Sequence, residues 1–335
     1  MEKLFLTVAC GDYDRTKSLQ DGSVEPEGIK LNYVALQSEE IFWRMGHYRE
    51  FDASEMSLSN HITMLGRGDS PFVGIPIFPS RFFRHSSVYY NVDSGIKKPQ
   101  DFKGKKVGTP EYAMTAAVWI RGFFDDDHGV RAQDMKWFLG GQEEPGRKER
   151  VKLDLPPEIS VQSIPDDRTL NSMLESGEID ALISVMVPSG FGKTVRRLFR
   201  DSRKVEVEYY RKTRIFPIMH TLVLKADLYK EKPWLALSFY RAFCRARDLA
   251  HASMYDTDAL TVSLPWIVDE VEETRRLFGR QIWDYSIEGS LPTLNALLTY
   301  LDEQKLSQRR MNVDELFVAN INPGLADYLR ATGEA

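Results

Sequence analysis

Cysteine is scarce in this chain: Cys10 and Cys244 are the only two in 335 residues, and their spacing suits no metal. Cys10 ends an apolar run and Cys244 lies in a helical stretch, so each reads as a reduced core thiol rather than half of a disulfide. Long apolar runs are missing as well, and none approaches the roughly 20 residues of a membrane-spanning helix. Gly-x-Gly-x-x-Gly, the P-loop, His-Glu-x-x-His, Gly-x-Ser-x-Gly and Cys-x-x-Cys are all absent, which removes the common nucleotide, metalloprotease, serine-hydrolase and redox signatures. The histidines at 47, 61, 85, 128, 220 and 251 never fall four apart, so no metal and no cofactor are expected. An excess of one charge is also lacking. The net charge is −5, with acidic and basic residues interspersed, so neither a nucleic acid nor a membrane surface is expected as partner.

One apparent export signal is set aside on length. Lys3, the apolar stretch from Leu4 to Ala9 and then Cys10 imitate a lipoprotein leader, but that stretch is shorter than the roughly 7–15 residues of a signal core. Gly11-Asp12-Tyr13-Asp14 follows at once, as after a first β-strand. The expected location is the cytoplasm.

What is present is ample core material, 42% hydrophobic and 11% aromatic, in a chain long enough for two domains. Short apolar strands at 4–9, 29–36, 51–56, 72–77, 87–92, 106–108, 159–163, 179–185 and 215–224 alternate with helical patterns at 39–48, 111–127, 168–176 and 234–251. That alternation predicts an α/β fold. A weak internal repeat adds a second observation. The helix from Ser38 leads into Glu50-Phe51-Asp52-Ala53, and the helix from Arg168 leads into Glu178-Ile179-Asp180-Ala181. Two lobes carrying one helix–turn–strand unit each are the expected outcome. A polar, turn-rich connector at 93–106 and the segment 209–214 mark the changes of lobe. The first lobe is thus expected at 1–93 and 215–335, and the second at 94–214. The charged, proline-containing stretch 142–157 has no periodicity and reads as a solvated loop, with a lid as the other reading.

Several candidates point to anion binding. Thr109-Pro110-Glu111 reads as a helix start with Thr109 as cap, its free N–H groups open to a carboxylate and Tyr112 and Thr115 adding hydroxyls. An ordinary capped helix start is the alternative. Ser57-Leu58-Ser59-Asn60 is the matching strand-to-helix junction of the first lobe, with Ser57 and Ser59 as contacts or simple caps. Arg81, Arg84 and His85 stand beside three phenylalanines and suit an anionic aromatic ligand, although strand alternation would put Arg81 and His85 on one face and Arg84 on the other. Asp14 and Arg15 follow the first strand, where open α/β sheets bind ligands. A turn aspartate beside a solvated arginine is the other reading. His61, just inside a predicted helix start, is a further candidate without an acidic or aromatic partner in sequence.

Five phrases carry a family resemblance. They are Ala9-Cys10-Gly11-Asp12-Tyr13-Asp14-Arg15-Thr16; Glu50-Phe51-Asp52-Ala53-Ser54-Glu55-Met56-Ser57; Phe78-Pro79-Ser80-Arg81-Phe82-Phe83-Arg84-His85-Ser86; Met114-Thr115-Ala116-Ala117-Val118-Trp119-Ile120-Arg121-Gly122; and Ile215-Phe216-Pro217-Ile218-Met219-His220. Together they make the chain resemble the 4,5-dihydroxyphthalate decarboxylase family, whose members are similar to type II periplasmic binding proteins. The resemblance implies a two-lobed fold with a ligand cleft between the lobes. It also implies a cytoplasmic, cofactor-free carboxy-lyase that converts 4,5-dihydroxyphthalate to protocatechuate and CO2. A homo-oligomer is compatible with it. After Ser184, a substrate-contact candidate, the family pattern expects an arginine before Pro188, and this chain has Val185-Met186-Val187 instead. That departure bears on the exact substrate.

Aryl decarboxylation through a dienone needs an acid aimed at the ring carbon and cations or N–H groups for the retained carboxylate. The departing carboxylate needs a drier wall. From the residues alone His220 shares the apolar parity of Phe216, Ile218, Leu222 and Leu224 and reads as a hydrogen-bonded core histidine. The resemblance places its strand between the lobes beside the cleft and makes His220, with His85 and Asp14, a catalytic candidate. The competing readings are a non-catalytic binding protein for an aromatic carboxylate and a related enzyme acting on another hydroxylated benzoate.

Overall fold

The computed structural model describes residues 2–321, so residues 322–335 of the expected first lobe lie outside it. Within the described residues the strands are β1 (Leu4–Cys10), β2 (Ile29–Ala35), β3 (Ala53–Ser57), β4 (Phe72–Ile75), β5 (Val88–Asn91), β6 (Lys106–Thr109), β7 (Lys136–Leu139), β8 (Val161–Ser163), β9 (Ala181–Ile183), β10 (Val195–Arg197) and β11 (His220–Lys225). The helices are α1 (Lys17–Gln20), α2 (Ser38–Tyr48), α3 (Leu58–Arg67), α4 (Thr115–His128), α5 (Leu170–Glu175), α6 (Ser202–Thr213), α7 (Ala226–Glu231), α8 (Trp234–Ser253), α9 (Ile267–Phe278) and α10 (Leu291–Glu303). They build two mixed sheets, ordered β2-β1-β3-β11-β4 and β10-β5-β9-β6-β7-β8.

The strands read as apolar runs because β1 pairs in parallel with both β2 and β3. Parallel strands are covered on both faces, so Val8, Ala9 and Cys10 in succession are all fully buried. Both cysteines are free. Helix α4 stops at Gly129, which adopts φ 62° and donates its N–H to Asp125, a left-handed turn that costs glycine little.

The repeated unit is realised in both sheets with the same bonds. Asp52 accepts from the Thr7 N–H at 2.9 Å through its side chain and returns its own N–H to the Thr7 carbonyl. Asp180 does the same with Lys106, at 2.8 Å. Each aspartate thereby ties its helix–turn–strand unit to the opening strand of its own sheet. The strand that follows lies parallel to that opening strand on one side and antiparallel to a crossover strand on the other: β3 between β1 and β11, β9 between β6 and β5.

Two expected boundaries need correction. Strand β5 belongs to the second sheet, so the chain changes lobe before residue 88 rather than at 93. The chain's later part is not confined to the first lobe. Helix α10 packs on α4, with Tyr300 set edge-on to Trp119 at 5.6 Å and Gln304 accepting from Arg121 Nε at 2.7 Å. One continuous apolar core joins Leu6 and Val8 of the first sheet, Val107 and Trp137 of the second, and Leu294, Leu297 and Leu301 of α10. Trp119 also donates its indole N–H to the Ile218 carbonyl, at 3.0 Å.

Candidate active site

A cleft of about 450 Å³ lies where the two lobes meet, within the range of small-ligand sites. Its polar lining includes Ser38, Ser57, Arg84, Thr115, Arg147, Arg150, Ser184 and His220. Phe42, Met114, Val185, Met186 and Met219 supply an apolar wall.

A buried carboxylate–histidine pair at the cleft is built from β3 and β11. In their antiparallel register Ser57 faces His220 and Glu55 faces Leu222, so Glu55 and His220 are diagonal neighbours on one face. Glu55 is fully buried in the middle of its sheet, where an unpaired carboxylate would be very costly. Its oxygens are well supplied with donors. Oε1 accepts from the Tyr13 hydroxyl at 2.7 Å and from His220 Nδ1 at 2.5 Å; Oε2 accepts from the Gly11 N–H at 2.8 Å and the Cys10 thiol at 3.4 Å. Burial pushes the Glu55 carboxyl up, but the His220 charge and hydrogen bond, with Tyr13 and Gly11, hold it below the ordinary range. Burial and the Glu55 charge in turn push the Tyr13 phenol and the Cys10 thiol well above theirs, so both stay donors. Gly11 is required here: a Cβ would sit 2.5 Å from the Tyr13 ring as it folds back toward Glu55.

With Nδ1 committed to Glu55, His220 has Nε2 left, and it makes no hydrogen bond among the described residues. Its ring is set edge-on to Phe42 at 4.9 Å and lines the cleft. A carboxylate behind a histidine fixes the tautomer and stabilises the cation formed when Nε2 holds a proton.

Arg84 lines the same cleft and contacts Met219, the sequence neighbour of His220. Its Nε points to Met219 Sδ at 3.2 Å, its guanidinium lies over Phe82 at 4.6 Å, and among the described residues no carboxylate forms an ion pair with it, although the charge of Glu206 is felt there. Burial lowers it to about 10, still charged at neutral pH. Its terminal nitrogens are open to an anion. Ser57 and Thr115, from opposite lobes, meet at 2.9 Å between their hydroxyls, with Ser59 behind them at 2.9 Å from Thr115. Ser184 reaches the cleft edge and donates to Gln142.

The other sequence candidates lie elsewhere. Arg81 is buried away from the cleft and donates to the Phe216 and Asp284 carbonyls and to Ser290, fastening the chain's later part to the segment that leads into β11. His85 stacks on Phe123 at 4.1 Å, and burial lowers it to about 4. The pairing of Arg81 with His85 on one reactive face fails because residues 85–87 form a short 3-10 turn, not a strand. Asp14 accepts from Arg15, whose Nε is held by the Pro79 carbonyl at 2.6 Å, and neither lines the cleft. His61 is fully buried against the Leu316 carbonyl at 3.3 Å and is likewise lowered to about 4 by burial. Thr109 ends β6 and caps nothing. Helix α4 begins at Thr115, and the Tyr112 hydroxyl is buried without a partner. The Tyr112 and Ala113 N–H groups expected to hold an anion already donate to Glu149, at 2.5 and 3.3 Å.

Glu55 and Tyr13 stand inside the family phrases without having been singled out, and the sign for Glu55 was an acidic residue within a strand pattern. Arg147 and Arg150 come from the aperiodic 142–157 stretch, which forms neither helix nor strand at this point. Arg147 joins Glu39 of the first lobe, at 2.6 Å, to Glu111 of the second, at 2.6 Å. No group of three or more His, Cys, Asp or Glu suited to a metal occurs among the described residues.

Solved structures with this architecture include the periplasmic aliphatic sulphonate binding protein of Escherichia coli (TM-score 0.54, 13% identity, 96% of this chain and 99% of that one). A putative periplasmic sulfonate-binding protein from Methylobacillus flagellatus KT matches with TM-score 0.52 and 16% identity, over 99% of this chain and 96% of the other. The molecule has a periplasmic-binding-protein fold with a histidine–carboxylate pair set into its cleft. No family model matches the chain. It is 40% identical over 320 residues to the 4,5-dihydroxyphthalate decarboxylase of Comamonas testosteroni, covering 95% of this chain and 97% of that one, and 42% identical over 214 residues to that of Pseudomonas putida, covering 63% and 83%. The chain belongs to the 4,5-dihydroxyphthalate decarboxylase family.

Proposed function

We propose that this chain is a carboxy-lyase that converts 4,5-dihydroxyphthalate to protocatechuate and CO2 in the interlobe cleft. The observation that carries the proposal is the Glu55–His220 pair opening into the same cleft as Arg84. The names of its relatives supply the substrate.

Each carboxylate of this substrate has a hydroxyl para to it. His220 Nε2 transfers a proton to the ring carbon bearing one carboxylate while the para hydroxyl gives up its proton to solvent water, which yields a dienone. The bond to the carboxylate then breaks, its electron pair restores the aromatic ring, and CO2 leaves. The resulting phenolate regains a proton, so the reaction consumes one proton overall, the one His220 supplies. Glu55 stabilises the imidazolium that delivers it. Arg84 holds a carboxylate through charge-assisted hydrogen bonds. Met114, Val185, Met186 and Met219 desolvate the leaving group, which favours neutral CO2 over the anion.

The test is direct. Purified protein incubated with 4,5-dihydroxyphthalate should release CO2 and protocatechuate in equal amounts. Tight binding with no CO2 release would leave a binding protein and sink the proposal.

A further inference from the structure

Three arginines line the cleft, and their nitrogens are committed differently. Arg147 is neutralised on both sides: Nε and one terminal nitrogen go to Glu111 Oε1, and the same terminal nitrogen reaches Glu39. Among the described residues Arg84 has only Nε hydrogen-bonded, on Met219 Sδ. Arg150 repeats that pattern from the opposite lobe. Its Nε donates to Glu111 Oε2 at 2.7 Å, and its two terminal nitrogens have no acceptor among the described residues. Its guanidinium lies over the Phe42 ring at 5.3 Å, the same ring that meets His220 edge-on. Arg84 and Arg150 therefore each present an open terminal fork, the geometry that pairs with a carboxylate through two parallel bonds.

The geometry points to Arg150 as the residue that selects for a second carboxylate on the ring, and to Glu111 as the residue that positions it. This rests on reading the cleft as a decarboxylase site. Glu111 is 1% exposed and holds Arg147 on one oxygen and Arg150 on the other, so it sets the direction of the Arg150 fork. Two forks suit an aromatic dicarboxylate. The decarboxylated product has one carboxylate left and occupies only one of them, which favours its release.

Inhibition by phthalate, which has two carboxylates, is compared with inhibition by 3,4-dihydroxybenzoate, which has one. In Arg150→Gln the phthalate inhibition constant should rise ~10–100-fold, the range for losing a charge-assisted pair, while that for 3,4-dihydroxybenzoate moves by less than ~3-fold. Glu111→Gln should lose part of the same discrimination, and the double variant should be no worse than Arg150→Gln alone. Arg150→Lys, which keeps the charge and stem but not the fork, should still lose discrimination even if Arg150→Gln does not fold. Equal weakening of both acids in Arg150→Gln, or unchanged discrimination beside normal CO2 release, would overturn this assignment while leaving the decarboxylase reading intact. Wild-type protein that bound neither acid and released no CO2 would overturn both.

Discussion

Three residues beyond Asp52 in the first lobe stands Glu55, and three residues beyond Asp180 in the second stands Ile183, both fully buried. The two aspartates make matching bonds to their sheets, and both strands sit between a parallel and an antiparallel neighbour. Ile183 needs only apolar neighbours at this position. Glu55 needs the Tyr13 hydroxyl, the Gly11 N–H and His220 around it, and these come from the loop after β1 and from β11. The comparison teaches that the scaffold is shared while the chemistry is local. One buried carboxylate and its donors give one copy of the unit a polar, hydrogen-bonded wall and leave the other apolar.

The largest effects should come from undoing that difference. His220→Gln and Glu55→Gln are expected to lower kcat by ~10²–10⁴-fold, with circular dichroism showing the fold retained. Glu55→Ile, which copies the second lobe's residue, should abolish turnover. Full turnover in Glu55→Gln would reduce the contrast between the lobes to packing. Next in size, Arg84→Gln should raise KM by ~10–100-fold with a smaller change in kcat, as expected for a lost carboxylate contact.

Asp52→Ala and Asp180→Ala probe the shared part. Each should cost about 1–3 kcal/mol in urea unfolding, the penalty for leaving backbone donors without their acceptor, and the two losses should agree within experimental error. Clearly unequal losses would show that the two units are not equivalent supports.

The smallest effect on activity is expected from His85→Phe, with kcat within ~2-fold of wild type, because His85 stacks on Phe123 outside the cleft. Its signature is in acid stability. Burial holds His85 at about 4, below the ordinary value of 6.5, so the unfolded chain binds a proton that the folded one refuses. The stabilisation is present above pH 6.5 and is lost as pH falls toward 4. Thermal melts across that window should show a smaller loss for His85→Phe than for wild type. An unchanged acid profile would mean that His85 is not held neutral in the fold.

Much of the architecture was legible because period-2 and helical patterns alternate along the chain and because the Asp-Ala unit recurs. The start of α4 was not, although Thr109-Pro110-Glu111 has the local form of a helix start. Glu149, 36 residues and more away in sequence, takes the Tyr112 and Ala113 N–H groups, while Glu111 is drawn into a buried pair with Arg147 and Arg150. Local patterns cannot show such tertiary competitors. Arg84 stood out as one of a basic cluster, but alternation grouped Arg81 with His85, and only the packing of Arg81 under Ser290 separates anchor from fastener. His220 shared the parity of an apolar face, and its acidic partner lies 165 residues earlier. Arg150 sits in a stretch without periodicity, where no pattern marks which charge turns inward.

The continuous core through both sheets makes the second lobe a poor candidate for transplantation. Cutting the chain on either side of it would strip Trp119 of the Ile218 carbonyl and bare the α4 face that Tyr300 and Gln304 now cover. Those groups would meet water together, on a fragment whose remaining apolar surface would drive aggregation. Grafting new specificity onto this protein is therefore better done through the 142–157 loop than by exchanging whole lobes.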